Sequence, residues 1–124
     1  MDESIRRALA HGHTIDITTT GRQTGQPRRI EIVFFNFGGR IYISGLPSRR
    51  RRSWLANLEA HPEFTFHLKG RVAADLPATA REVTEPVERR EILEKFAQAW
   101  NRTDLDTMVA YSPLIEVTLP GYAP

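Results

Sequence analysis

The stretch Arg28–Gly45 limits the fold more than any other part of the chain. Arg28–Phe37 alternates, with Ile30, Ile32 and Phe34 on one face and Val33, Phe35 and Phe37 on the other. Both faces are apolar at its far end, as expected of a central strand covered on both sides. Gly38-Gly39 supplies a hairpin turn, and Arg40–Gly45 resumes the two-residue period with Ile41 and Ile43 opposing Tyr42 and Ser44. Upstream, Thr14–Thr20 sets Ile15 and Ile17 against Asp16 and Thr18. A turn with two glycines, Gly21–Pro27, separates it from the next strand. These three segments predict an antiparallel meander.

The same period recurs further on. Glu63–Lys69 places Phe64, Phe66 and Leu68 inward and Thr65, His67 and Lys69 outward, so His67 is expected to be exposed. Arg71–Ala74 and Ala78–Thr84 read as another strand or hairpin, with the turn at Asp75–Pro77. Leu114–Leu119 is a final strand. Helical spacing appears in four places: residues 3–11, with Ile5 and Leu9; Ser53–His61, with Trp54, Leu55 and Leu58 apolar; Pro86–Trp100; and a short helix restarting at 101–103 and running to about Ala110. Ser53 is the expected cap of the second helix and Pro62 its stop. Thr84 or Glu85 is the expected cap of the third, with Val87, Leu93, Phe96, Ala97 and Trp100 on its apolar face. The tail, residues 120–124, is expected to be loose. About six short, mostly antiparallel strands that must avoid open edges suggest a closed or nearly closed barrel. The predicted fold is therefore mainly β with helical insertions, one domain over residues 1–124.

Composition excludes several classes. There is no cysteine, so disulfides and cysteine-based metal sites or nucleophiles are absent. No apolar run approaches the ~20 residues of a membrane span, and the first residues lack the apolar core of a signal peptide. A cytoplasmic location is the expectation. His11 and His13 form an HxH pair without further ligands nearby, so no metal is expected. No nucleophile elbow, phosphate-binding P-loop or dinucleotide fingerprint occurs.

Charge is uneven. Residues 1–52 hold ten arginines against four acids, giving +6; residues 53–124 hold seven Lys+Arg against eleven acids, giving −4. The basic half looks like the side that meets an anionic partner. Arg49–Arg52 precede the helix start at Ser53. That is the unfavourable end for cations, each costing roughly 0.3–1 kcal/mol there. A bound anion would reverse the sign; a solvated charge run is the other reading, and the residues alone leave both open. In a meander, the connections at 21–26 and 46–53 fall at the same end, so glycine amides, arginines and a helix start can form one anion site. A nucleic-acid binder would interleave basic residues with exposed aromatics; here Phe34, Phe64 and Phe66 fall on inward faces, and no nucleic acid is expected.

Two motifs carry a resemblance. Thr18–Thr20 followed by Gly21-Arg22-x-Thr24-Gly25-x-x-Arg28, and Trp54-x-x-Asn57-Leu58-x-Ala60-His61-Pro62, resemble the deazaflavin-dependent nitroreductase family in order and approximate spacing, with a looser match at Gly39–Ser44. The match covers about residues 14–74. It implies a split β-barrel that binds coenzyme F420, a deazaflavin with a phosphate and an oligoglutamate tail. It implies hydride transfer to a quinone, activated alkene or nitro compound as the small-molecule partner. By that resemblance Arg22, Gln23 and Thr24 contact the phosphate, although Gln23 stands where a basic residue is common. Arg28, Arg29, Ile30, Ile32 and Val33 run beside the ring system. Tyr42, Ser44 and Gly45, with Ser53, Trp54 and Asn57, complete the pocket, and Arg51 and Arg52 within the arginine run meet the glutamate tail. Tyr111 is the candidate proton donor or substrate wall, with a helix-end packing role as its alternative. An FMN-binding split barrel and a non-catalytic cofactor carrier are the competing readings. A homodimer is compatible with the sequence.

Overall fold

The computed structural model describes residues 1–123. In chain order the elements are α1 (Glu3–His11), β1 (Thr14–Thr20), β2 (Pro27–Phe37), β3 (Arg40–Ser44), α2 (Ser53–Ala60), β4 (Glu63–Leu68), β5 (Ala74–Glu82), α3 (Pro86–Ala99), α4 (Leu105–Tyr111) and β6 (Leu114–Thr118). The strands close into a barrel in the order β1-β2-β3-β6-β5-β4, every neighbouring pair antiparallel. The predicted barrel is the observed fold.

The alternating residues build two cores. Ile15, Ile17, Phe34, Ile41, Ile43, Phe66 and Ile115 fill the barrel, joined by Leu9 of α1 and by Trp54, Leu55 and Leu58 of α2. The opposite face of β2 and β3 is covered by α3 and α4. There Tyr42, Ile92, Leu93, Phe96 and Met108 pack with Phe35, Phe37 and Trp100. The two apolar faces of β2 are thus divided between the two cores.

One irregularity positions the site. β1 pairs with β2 along Pro27–Val33, whereas β3 pairs with it only from Phe34 onward. The other edge of residues 27–33 therefore has no strand beside it. The barrel is split there.

Several local expectations are corrected. The segment 71–84 is not a hairpin: β5 runs unbroken through Asp75–Pro77. Pro77 pairs only with Thr65 of β4, because β6 joins β5 from Thr79, so the missing N–H is tolerated on an unpaired side. His67 lies on the outer face as its period requires, yet it is buried, held between Thr18 of β1 and Asp75 of β5 at 2.6 Å each. Cross-strand polar partners, invisible to periodicity, close over it. Ser53 is the first helical residue of α2 and not its cap; the cap position is Arg52, which makes no side-chain capping bond. Glu85 caps α3, and Val87 is exposed. The last short helix begins only at Leu105. In the tail, Tyr122 packs on the barrel core and its hydroxyl accepts from the Asn36 side chain at 2.9 Å; Pro124, part of the same expectation, lies outside the described residues.

Candidate functional site

The turn between β1 and β2 is tied to the start of α2. Gly21 and Gly25 close the turn through main-chain bonds of 2.8 Å each, and Gly25 has φ +71°, a conformation other residues resist. Asn57, one turn into α2 and only 3% exposed, accepts from the Arg22 amide at 3.1 Å and from its guanidinium at 3.0 Å. Its Nδ2 donates to Thr19 Oγ1 at 3.1 Å. These bonds frame a cavity of about 350 Å³ lined by Arg22, Gln23, Thr24, Arg28, Ile30, Ser53, Trp54 and Asn57. The first and third connections meet there, as antiparallel geometry requires. α2 starts without a side-chain cap, so its first-turn amides and positive dipole end open beside Arg22 and Arg28. Among the described residues, Arg28 has no ion pair. This donor set suits an anion.

The arginine run divides its duties. Arg51 bonds Glu59 at 2.5 Å and Glu82 at 3.0 Å, and those carboxylates, Glu82 foremost, raise its already high pKa. Arg52 donates to the Leu46 carbonyl at 2.6 Å. The Arg49 guanidinium lies 5.1 Å from the centre of the Tyr111 ring. Among the described residues, the Arg50 side chain has no partner. All four line a second cavity of about 350 Å³ with Glu82, Arg89, Tyr111 and Ser112. Two of the four cations are therefore already engaged in holding the loop.

A third cavity, of about 410 Å³, is lined by Val33, Ser44, Gly45, Leu46, Trp100 and Arg102. Gly45 admits no side chain without crowding: a Cβ there would sit 3.3 Å from the Arg52 guanidinium and from the Pro113 ring. Ser44 is fixed by donating to the Pro113 carbonyl at 2.5 Å. The first and third cavities have no lining residue in common: Arg28 and Ile30 line one, and Val33, on the opposite face of β2, lines the other. Three residues of strand span about 10 Å. Residues 27–33 of β2 thus contribute to a cation-lined cavity and to a mostly apolar one.

Residues 2–112 match the model of the F420H(2)-dependent quinone reductase family. The chain belongs to that family. It is an F420H2-dependent reductase, and coenzyme F420 is its cofactor. Solved structures agree on the fold. A conserved hypothetical protein of Mycobacterium tuberculosis superposes with TM-score 0.72 at 19% identity, over 97% of this chain and 81% of that one. An F420-H2 dependent reductase, FDR-A, gives 0.61 at 21% identity, over 85% and 93%. A FAD-binding protein from Mesorhizobium loti gives 0.62 at 10% identity, over 96% and 90%.

The reductase's residues fit the cofactor chemistry. Arg22, Arg28 and the uncapped helix start are donors suited to a phosphate, and Ile30 and Trp54 give apolar surface in the same cavity. Not every expected residue lies on this groove. Arg29 bonds Asp16 at 2.9 Å. Ile32 packs on the barrel core, and Tyr42 is buried in the second core, where burial pushes its phenol pKa up. Tyr111 lines the arginine cavity under Arg49. Sequence reasoning missed Leu46, Trp100 and Arg102 as lining residues. Trp100 was legible only as a helix-face residue, since its second role depends on where α3 stops. Among the described residues no His, Asp or Glu cluster could hold a metal, and no helix is long and apolar enough to cross a membrane.

Proposed function

We propose that this reductase passes a hydride from reduced coenzyme F420 to an electron-poor small molecule: a quinone, an activated alkene or a nitro compound. Residues 1–124 would act as one split-barrel unit. The observation that supports the reading is the cavity where the β1–β2 turn meets the start of α2. It sets Arg22, Arg28 and the uncapped helix start beside the apolar Ile30 and Trp54, at the stretch of β2 that only one strand pairs.

When bound, the reduced deazaflavin supplies the hydride and releases one proton as it becomes oxidised. A quinone that takes the hydride and one solvent proton leaves as the hydroquinone. The chain's own work is placement. Arg22 and Arg28, with the first amides of α2, hold the phosphate. Gln23 and Thr24 border it. Trp54 and Ile30 flank the ring, and Val33, Ser44 and Gly45 close its far side. Asn57 acts through Arg22 by fixing its direction. Arg50 and Arg49 lie nearest to spare for the glutamate tail. Tyr111 faces the arginine cavity, and we assign it no proton-transfer step.

Following F420H2 oxidation against one member of each acceptor class tests this. Turnover with at least one class supports the reading; none with any class overturns it.

A further inference from the structure

The arginine cavity beside the start of α2 has a floor that the reductase reading leaves without a role. We infer that this cavity is a second anion site, separate from that of the cofactor phosphate, and that it takes the phosphate or carboxylate group of a small molecule other than the cofactor. The inference goes beyond the reductase reading and does not depend on it.

An unpartnered hydroxyl marks the site. Ser112 lines the cavity and is only 4% exposed. Its amide bonds the Met108 carbonyl at 2.8 Å, and its own carbonyl accepts from Arg89. Its Oγ is the one buried side-chain polar atom, among the described residues, that has no hydrogen-bond partner. A buried donor of that kind costs stability until something comes to meet it. Local structure explains how it arises. Ser112 ends α4 in an extended conformation, ψ 144°, as the proline that follows requires. The helix end uses its backbone groups, and the hydroxyl is left for a ligand.

Charge points the same way. Five guanidinium groups and one carboxylate line the cavity: Arg49–Arg52, Arg89 and Glu82. Glu82 is taken by Arg51. Among the described residues, Arg49, Arg50, Arg52 and Arg89 have no ion pair, so four like charges border about 350 Å³ with nothing to offset them. Arg89 has five N–H donors and uses four, on the carbonyls of Val109, Val83, Met108 and Ser112. Burial lowers its pKa, as expected of a cation drawn from water without a carboxylate beside it. An oxyanion on this floor would accept from Ser112 and from the free Arg89 N–H, and would balance the arginines. The volume suits a small molecule.

The helix keeps the two anion sites apart. Ser53, Trp54 and Asn57 line the cofactor cavity, and Leu55, on the opposite side of α2, lines this one; no residue lines both. The glutamate tail, nearest Arg49 and Arg50, meets the exposed rim and not the floor built by Ser112 and Arg89. The Ser48 amide bonds the Tyr111 carbonyl at 3.0 Å, which fastens the arginine loop to the end of α4 and fixes both walls.

Calorimetric titration with inorganic phosphate and, separately, with succinate tests this, at an ionic strength held by sodium chloride. Arg22→Ala protein is used, because its cofactor site is impaired and no F420 is needed. At least one of the two anions should bind saturably. Adding Ser112→Ala, which breaks no hydrogen bond of the hydroxyl and should fold as the parent does, is expected to weaken that binding at least fivefold. Arg50→Gln, at a side chain without a partner, should do the same. In the otherwise unaltered protein, Ser112→Ala should leave the Kd for F420 within twofold. No saturable binding of either anion, or binding unchanged in either variant, overturns the inference. So does an equal loss of F420 affinity in Ser112→Ala, which would give the floor to the glutamate tail. Failure of the parent to bind F420 overturns the reductase reading alone, since the anion titrations are read without it.

Discussion

The Oδ1 atom of Asn57 accepts two hydrogen bonds from a single residue, Arg22, one from its amide at 3.1 Å and one from its guanidinium at 3.0 Å. Asn57 is buried and Arg22 is exposed. A rigid helix residue therefore aims a surface cation, and the glycine turn that carries it, at the start of α2. The proposed cofactor pocket depends on this pair.

Replacing Arg22 with Ala removes a charge-assisted contact worth about 1.5–3 kcal/mol, or roughly 10–100-fold in affinity. Cofactor binding should weaken accordingly. The parent's affinity should fall steeply with salt, and the variant's less so. Isothermal titration at two ionic strengths measures both. Equal salt slopes would contradict the electrostatic role.

Asn57→Leu should act differently. It leaves the Arg22 amide and the Thr19 hydroxyl without their partner, at a cost of about 1–3 kcal/mol each when buried. Both stability and cofactor affinity should fall, and Arg22→Ala should then add less than it does alone. A double-mutant cycle read by urea unfolding and by binding checks this. Additive losses would show that the two residues do not work as a unit.

Arg89 holds the second core to the barrel. Its guanidinium donates to the carbonyls of Val109 at 2.8 Å and Val83 at 3.1 Å, and also to Ser112. Burial lowers its pKa, yet it is committed to carbonyls and not to a direct carboxylate partner. Arg89→Met should cost about 2–4 kcal/mol, because the end of α4 loses its acceptors' partner. Chemical denaturation measures it. A change below about 0.5 kcal/mol, the level of an ordinary surface substitution, would contradict the assignment.

Acid should destabilise the outer face of the barrel. Lys69 first, then Arg29, holds the Asp16 carboxyl below its ordinary value of 3.8. The His67 hydrogen bond does the same for Asp75. Both folded-state values are depressed, so their stabilisation is present above about 3.8 and is lost as pH falls through the folded values. The melting temperature should drop as pH is lowered below about 4. Asp16→Asn, which does not titrate, should shallow that drop. A variant profile parallel to the parent's would refute the linkage.

How much of this was legible in the sequence follows from what each signal measures. Period-two alternation reports which face of a strand is apolar, so β1, β2, β3 and β4 were readable to within a residue or so. It does not report what covers the other face. His67 was expected in solvent because Thr18 and Asp75, which enclose it, lie on separate strands. Pro77 misled for a similar reason: a proline reads as a break unless the strand beside it is known to be missing. At the site, the Gly21–Gly25 turn and the Asn57 helix were visible as motifs, and antiparallel order placed them at one end. The resemblance implied a split barrel, but where β2 loses its second partner was not visible, since pairing partners are tertiary facts. Trp100 and Leu46 share no motif and meet only after the barrel closes.

Equilibrium binding of coenzyme F420 and, in parallel, FMN to the purified apo protein tests the central claim most directly. The account predicts tight F420 binding, weak FMN binding, and weakened F420 binding in Arg22→Ala. Preference for FMN, or F420 affinity unchanged in Arg22→Ala, would contradict it.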